Sequence, residues 1–114
     1  MWTNLCVGWS FGGAVVISAG AENPHCIGVA TLASQTYGTG AVGTLGPKKS
    51  LLLLHGTEDT CLSQQCSKRL YAEAKEPKEI VLYKGDNHGF TLNYKKATEK
   101  LNDWIKDFTN KDNM

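Results

Sequence analysis

The side chains best suited to chemistry in this 114-residue chain are a serine, an aspartate and a histidine that lie far apart in sequence. They are Ser10, Asp59 and His88. A serine hydroxyl must lose its proton as it attacks a carbonyl carbon. An imidazole can take that proton while a carboxylate holds the other ring nitrogen. If the fold brings them together, these side chains predict nucleophilic catalysis by serine.

Ser10 lies in the motif GWSFGG at positions 8–13, between an apolar run and a stretch of small apolar residues. This order predicts a strand, a sharp turn and a helix, which is the context in which G-x-S-x-G exposes a nucleophile. We expect Gly8 and Gly12 to be required because neighbouring backbone passes too close for a Cβ atom. The helix N-terminus would favour negative charge at Ser10. The alternative is an ordinary glycine-rich turn in which Ser10 only caps its helix.

The acid and the histidine also follow predicted strands. The leucine-rich run at 50–56 precedes Asp59, and the apolar run at 79–85 precedes His88. Because the carboxyl ends of parallel strands lie at one edge of a sheet, we expect all three side chains to converge there.

Other carboxylates and histidines compete for these roles. The G-x-x-D spacing from Gly56 favours Asp59, whereas Asp86 precedes the histidine by only two residues and has little reach to its far nitrogen. The remaining competitors are Glu58 for the acid, and His55 and His25 for the histidine. His55 ends a strand and is expected to be structural. His25 follows a proline in a turn and is expected to be solvated.

The three ordered motifs GWSFGG, HGTED and GDNHGF resemble those of the α/β-hydrolase superfamily, in particular its small esterase, thioesterase and dienelactone-hydrolase-like members. The resemblance runs from about Leu5 to the C-terminus. It implies a hydrolase without a cofactor that cleaves a small-molecule ester or thioester through an acyl-enzyme. The implied site has Ser10, Asp59 and His88 as catalytic residues, the Phe11 backbone N–H in the oxyanion hole, and Trp9 and Phe11 beside the substrate. The alternative for both aromatic rings is packing.

The same resemblance implies that part of the fold has no counterpart in this sequence. In the superfamily the serine motif follows the fifth strand of an eight-stranded sheet, whereas four residues precede Leu5 here. We therefore expect residues 1–114 to form a single partial domain, equivalent to the C-terminal half and lacking the second oxyanion donor. Activity would then be weak or absent. The alternative is a non-catalytic unit whose exposed strand at 5–9 pairs with a separately encoded N-terminal half, or with its own copy as a homodimer.

The pattern along the chain predicts an α/β fold, a three-layer parallel-sheet sandwich of about four strands with flanking helices. Four consecutive leucines at 51–54 indicate burial on both faces of the sheet. The glycine-rich segment at 34–49 is predicted to be a long flexible connection. Trp2 and Trp104 are predicted to lie in the core or an interface. The predicted strands are 4–9, 26–33, 51–54 and 79–83, and the predicted helices are 11–20, 63–74 (capped by Ser63) and 93–108.

Composition argues against several other classes of protein. The formal net charge of +1 gives no argument for a nucleic-acid or membrane partner. No apolar run approaches the length of a membrane span, and no Lys or Arg precedes the A-x-A-like segment at 19–21, so no signal peptide is expected. The expectation is a soluble, cytoplasmic protein. A flavodoxin-like binding module is disfavoured because no phosphate-binding glycine loop is present.

The four cysteines predict neither a disulfide framework nor a metal site. Cys6 and Cys26 lie in apolar strand patterns, where a free cysteine packs as a small hydrophobic residue. Cys61 and Cys66 flank the start of a predicted helix, and no cysteine or histidine spacing is typical of zinc.

Overall fold

Four parallel strands form one sheet, and their order in the sheet follows their order in the chain. The computed structural model describes residues 4–112, with side chains described as far as residue 108. Helices flank the sheet, which confirms the predicted α/β class. The strands are Asn4–Trp9 (β1), Cys26–Leu32 (β2), Ser50–Gly56 (β3) and Lys78–Tyr83 (β4). The helices are Phe11–Glu22 (α1), Gln65–Glu73 (α2) and Tyr94–Asp112 (α3), with a short 3-10 helix at Gly40–Thr44.

The helices cover both faces of the sheet, which gives three layers. In β3, Leu51 and Leu53 pack in the cluster formed with α1 and α2, whereas Leu52 and Leu54 pack in the cluster formed with α3. Successive side chains of a strand point to opposite faces, so a strand that is covered on both sides needs an unbroken apolar run. Trp104, predicted for the core or an interface, is buried in the α3 cluster, while Trp2 lies outside the described residues.

The connection predicted to be flexible is instead anchored to the rest of the fold. It contains the 3-10 helix, and its Val42 and Leu45 are buried in the cluster with α1 and α2. Lys49 closes the segment, and its ammonium group donates to backbone carbonyls at the end of α1. A cation at a helix C-terminus is favourable because the last carbonyls lack intrahelical donors. The acceptors are the carbonyl oxygens of Gly20, Ala21 and Asn23.

The helix ends differ from the prediction by a few residues. Ser63 was the predicted cap of α2, and its hydroxyl does accept the N–H of Gln65, although the helix begins two residues after it. The last helix continues to Asp112, past the predicted end at residue 108. No helix among the described residues is both long and apolar enough to cross a membrane.

Candidate active site

The turn between β1 and α1 places Ser10 in an unusual backbone conformation. Its φ is 57°, in the left-handed region that L-residues seldom occupy. A Cβ on Gly8 would lie 2.1 Å from the carbonyl oxygen of Gly12, so Gly8 is required as predicted. The same expectation for Gly12 is wrong, because a Cβ there would meet no atom within 4 Å. Only Gly8 lies beneath the first turn of α1.

The structure brings Ser10, His88 and Asp59 into one hydrogen-bonded row. Nε2 of His88 lies 3.0 Å from the Ser10 hydroxyl, and Nδ1 lies 2.7 Å from Asp59 Oδ2. A carboxylate can only accept, so the Nδ1 of His88 carries a proton and Nε2 is free to accept one from serine. The His88 side chain is 27% exposed and that of Asp59 is fully buried, so only the outer part of the row faces solvent.

Backbone groups keep Asp59 ionised. The N–H groups of Cys61 and Leu62 donate to Oδ1 at 2.9 and 2.8 Å. Burial alone would raise the pKa of the Asp59 carboxyl, but the hydrogen bonds from Leu62, His88 and Cys61 outweigh it and hold the pKa below its ordinary value. The Asp59 carboxyl at the end of the row is therefore ionised at neutral pH.

Asp86, a second buried carboxylate, organises the loop that carries His88. It accepts the backbone N–H groups of Asn87, Leu92 and Asn93 at 2.9–3.1 Å. Burial opposes ionisation, yet these hydrogen bonds hold the pKa of Asp86 below its ordinary value. The contact of His88 with a carboxylate is made to Asp59 and not to Asp86.

The other competitors lie away from the row or are engaged elsewhere. Glu58 and His25 are exposed. His55 is fully buried, and its two ring nitrogens contact the Ser67 hydroxyl and the Leu62 carbonyl oxygen. Its expected structural role agrees with these contacts. Its Nε2 also lies 3.3 Å from Asp59 Oδ2, a contact that could not be predicted from the sequence.

Solved structures provide the comparison, since no family model matches the sequence and no curated protein is detectably similar to it in sequence. The esterase domain of a Rhodothermus marinus protein superposes with a TM-score of 0.78 and 20% identity, over 90% of this chain and 60% of that one. A protein of unknown function from Agrobacterium tumefaciens, classed with the α/β hydrolases, gives 0.77 and 20%, over 95% and 51%. A dienelactone hydrolase from Anabaena variabilis gives 0.73 and 21%, over 85% and 45%.

The matched region of these structures is the C-terminal part of their chains. The first two superpositions cover nearly all of this chain. The chain has the α/β-hydrolase fold. It spans 60% of the length of the first of these structures and 51% of the second.

Within this α/β-hydrolase fold, Trp9 and Phe11 flank the serine in different ways. The Phe11 ring is 67% exposed on α1, and its N–H belongs to the first residue of the helix, where no intrahelical acceptor exists. The Trp9 ring is half exposed and packs edge-on against Phe90, with centroids 6.1 Å apart. Phe90 follows His88 by two residues, so this contact joins the serine turn to the histidine loop. Sequence reasoning missed it because the two loops are distant in the chain.

Three residues of the hydrolase fold could hold a metal ion. One ligand atom from each of Asp59, Cys61 and His88 lies within 4.8 Å of the other two. A thiolate, an imidazole and a carboxylate together suit zinc. Asp59 and His88 already bond to each other, so an ion there would remove both from the row with Ser10. Spacing along the sequence did not indicate this group because His88 comes from a different loop.

Proposed function

We propose that the chain is a serine hydrolase that cleaves a carboxylic ester or thioester through an acyl-enzyme. The observation that carries the proposal is the row in which His88 bonds to the Ser10 hydroxyl on one side and to Asp59 on the other. A hydroxyl, an imidazole and a buried carboxylate in this order form the arrangement that activates serine for acyl transfer. The fold supports the same class, since the similar structures include an esterase domain and a dienelactone hydrolase.

The residues of the row have distinct roles in the proposed reaction. Ser10 Oγ attacks the carbonyl carbon while His88 Nε2 takes the hydroxyl proton. His88 then gives that proton to the leaving alcohol or thiol as its bond to the acyl group breaks. Asp59 keeps Nδ1 protonated and stabilises the imidazolium. Water then attacks the acyl carbonyl carbon while His88 takes its proton. The proton returns to Ser10 Oγ as the bond from Ser10 to the acyl group breaks and the acid leaves.

The negative oxygen of the tetrahedral intermediate needs hydrogen-bond donors. We assign the first donor to the Phe11 N–H, which follows Ser10 at the start of α1 and has no acceptor within the helix. The resemblance predicts that residues 1–114 do not supply the superfamily's second donor. Removing one such donor lowers rates by roughly 10²- to 10³-fold, so we expect slow turnover.

Acylation of the serine is the decisive measurement. The chain is mixed with p-nitrophenyl acetate, and the release of p-nitrophenolate and the mass of the protein are followed together. We expect a burst followed by slow turnover, with an acetyl group on Ser10. Ser10→Ala abolishes both signals. Ser50→Ala, at the amino end of β3 and so at the opposite end of the sheet, is the control and keeps them. Equal turnover by Ser10→Ala and the parent chain contradicts the proposal.

A second candidate function is supported by the outer edge of β1. Among the described residues this strand pairs only with β2, so its other edge is unpaired. Two of its apolar side chains are also exposed, Val7 by 43% and Trp9 by 49%. An apolar groove of about 300 Å³ runs beside these residues to Tyr94 and Leu101 of α3. An unpaired apolar edge is a template for another strand. We propose that it pairs with a second copy of this chain, which would make the unit an interaction module whether or not it turns over an ester.

A further inference from the structure

His55 is a buried histidine to which the proposed reaction gives no role. Its ring lies fully buried at the end of β3. Nε2 lies 2.7 Å from the Leu62 carbonyl oxygen and 3.3 Å from Asp59 Oδ2. Nδ1 lies 2.6 Å from the hydroxyl of Ser67 in α2. Both ring nitrogens are therefore engaged, and one of them adjoins the carboxylate of the Ser10 row.

These contacts define the tautomer of the ring. A carbonyl oxygen only accepts, so Nε2 of His55 carries a proton and donates it to Leu62. A neutral imidazole has a single N–H, so Nδ1 is the acceptor and the Ser67 hydroxyl donates to it. Ser67 thus keeps the N–H of His55 directed at the turn formed by residues 59–62.

The same turn carries the acid of the row. The Leu62 N–H donates to Asp59 Oδ1, while the Leu62 carbonyl accepts from His55, so this peptide segment is held from both sides. Rotation of the turn would break one of these bonds in a partly buried region, where a lost partner is costly. Asp59 Oδ2 is left facing His88 Nδ1 at 2.7 Å.

We propose that His55 is a positioning residue that fixes the Asp59 carboxylate for His88. It acts by holding the Leu62 carbonyl and by placing the positive end of its N–H dipole beside Asp59 Oδ2. Its effect on turnover depends on the proposed hydrolase function, whereas its effect on the bond between Asp59 and His88 does not. The two are therefore measured separately.

Two substitutions at His55 separate the two ends of its ring. The side chain of His55→Gln places an amide nitrogen near the position of Nε2 and keeps a donor for Leu62. The shorter side chain of His55→Asn reaches only the position of Nδ1, so it keeps the partner of Ser67 and loses the donor. Ser67→Ala removes the other partner and leaves the Leu62 contact in place. Thermal unfolding of all three variants reports the general cost of altering this buried site.

We expect His55→Asn to lower kcat by about 10- to 100-fold, by analogy with the removal of partners that orient metal-ligating side chains, with little change in KM. His55→Gln should keep a kcat close to that of the parent chain. In proton NMR spectra, the downfield signal of His88 Nδ1–H bonded to Asp59 should persist in His55→Gln and be lost or shifted upfield in His55→Asn. Ser67→Ala should give an intermediate result.

The opposite pattern overturns the positioning role. If His55→Asn and His55→Gln lower kcat equally, in step with their unfolding temperatures, and leave the His88 signal unchanged, then His55 only fills space. If the parent chain shows no Ser10-dependent turnover, the hydrolase proposal fails. In that case the His88 signal in the two variants still decides whether His55 positions Asp59.

Discussion

Two buried carboxylates, Asp59 and Asp86, are stabilised by the same means, although they serve different parts of the site. Each accepts backbone N–H groups of the loop that follows it, and each keeps a lowered pKa in spite of burial. Asp59 also faces His88, whereas Asp86 closes the loop that presents His88. The stability of the fold and the geometry of the row therefore depend on the same two ionisations.

Stability should consequently fall in acid. The ionised Asp86 contributes fully above its ordinary pKa of 3.8, because the folded pKa lies below that value. As the pH falls below 3.8, the unfolded chain binds protons first, and the contribution is lost towards the lowered folded pKa. We expect Asp86→Asn to be about 2 kcal/mol less stable at neutral pH, since hydrogen bonds to charged groups contribute about 1.5–3 kcal/mol. Its stability should also depend less on pH below 3.8, where the parent chain loses this contribution.

Urea unfolding at a series of pH values measures both effects of this substitution. Asp103→Asn, at an exposed carboxylate of α3, is the matched control and should follow the parent chain at every pH. Parallel stability curves for Asp86→Asn and the parent chain would show that the three N–H bonds do not depend on the charge of the carboxylate.

At the scale of elements, the junction of β1 with α1 creates the site. β1 must pass directly beneath the first turn of α1 for the Ser10 side chain to project from the carboxyl end of the sheet. This close approach leaves no room for a side chain at Gly8 and places Ser10 at a φ of 57°. Backbone strain of this kind costs about 1–3 kcal/mol and persists only where the surrounding packing enforces it.

The two glycines of this junction should therefore respond differently to alanine. Gly8→Ala would place a methyl group against the backbone of α1, so we expect a loss of about 3 kcal/mol or more, and loss of the acylation burst. Gly12→Ala meets open space and replaces a helix glycine, so it should be neutral or stabilising by up to about 1 kcal/mol. Urea midpoints and burst amplitudes measure the difference. Equal destabilisation by both variants would mean that the turn is not closely packed under Gly8.

At the scale of the molecule, the two edges of the sheet differ in their surroundings. On the β4 edge, Glu79 forms an ion pair with Lys100 of α3. On the β1 edge, Val7 and Trp9 remain exposed beside the apolar groove. Charged side chains protect an edge strand from pairing with another chain. Because the β1 edge lacks that protection among the described residues, it is where we place the contact between copies.

Self-association should therefore depend on the β1 edge. We expect the parent chain to show a mass that rises with concentration in size-exclusion chromatography with light scattering. Val7→Lys should shift it towards the monomer, because a charged side chain opposes pairing at an edge strand. Leu92→Lys is the matched control, since Leu92 is a large exposed apolar residue in the loop before α3. A parent chain that is monomeric at all concentrations contradicts pairing between copies.

Much of the fold could be predicted from local patterns. The leucine run of β3 predicted a strand covered on both faces, because burial on both sides dictates an unbroken apolar run. The segment at 34–49 was misjudged, since its many glycines suggested flexibility while Val42 and Leu45 are buried beside α1 and α2. Two large aliphatic residues in a glycine-rich segment are too few to reveal a periodicity, so only packing decides their position.

The sequence by itself determined which residues stand at the carboxyl ends of the strands. Chain order and strand pattern suffice for that, because parallel strands bring their ends to one edge, and Ser10, Asp59 and His88 each follow one. The tertiary structure alone decided how their loops are held. The hydrogen bonds of Asp86 within its loop and of His55 to Leu62 depend on side-chain directions and distances, as does the edge-on contact between the rings of Phe90 and Trp9. Such contacts leave no periodic signal in a sequence, since each joins a single pair of residues.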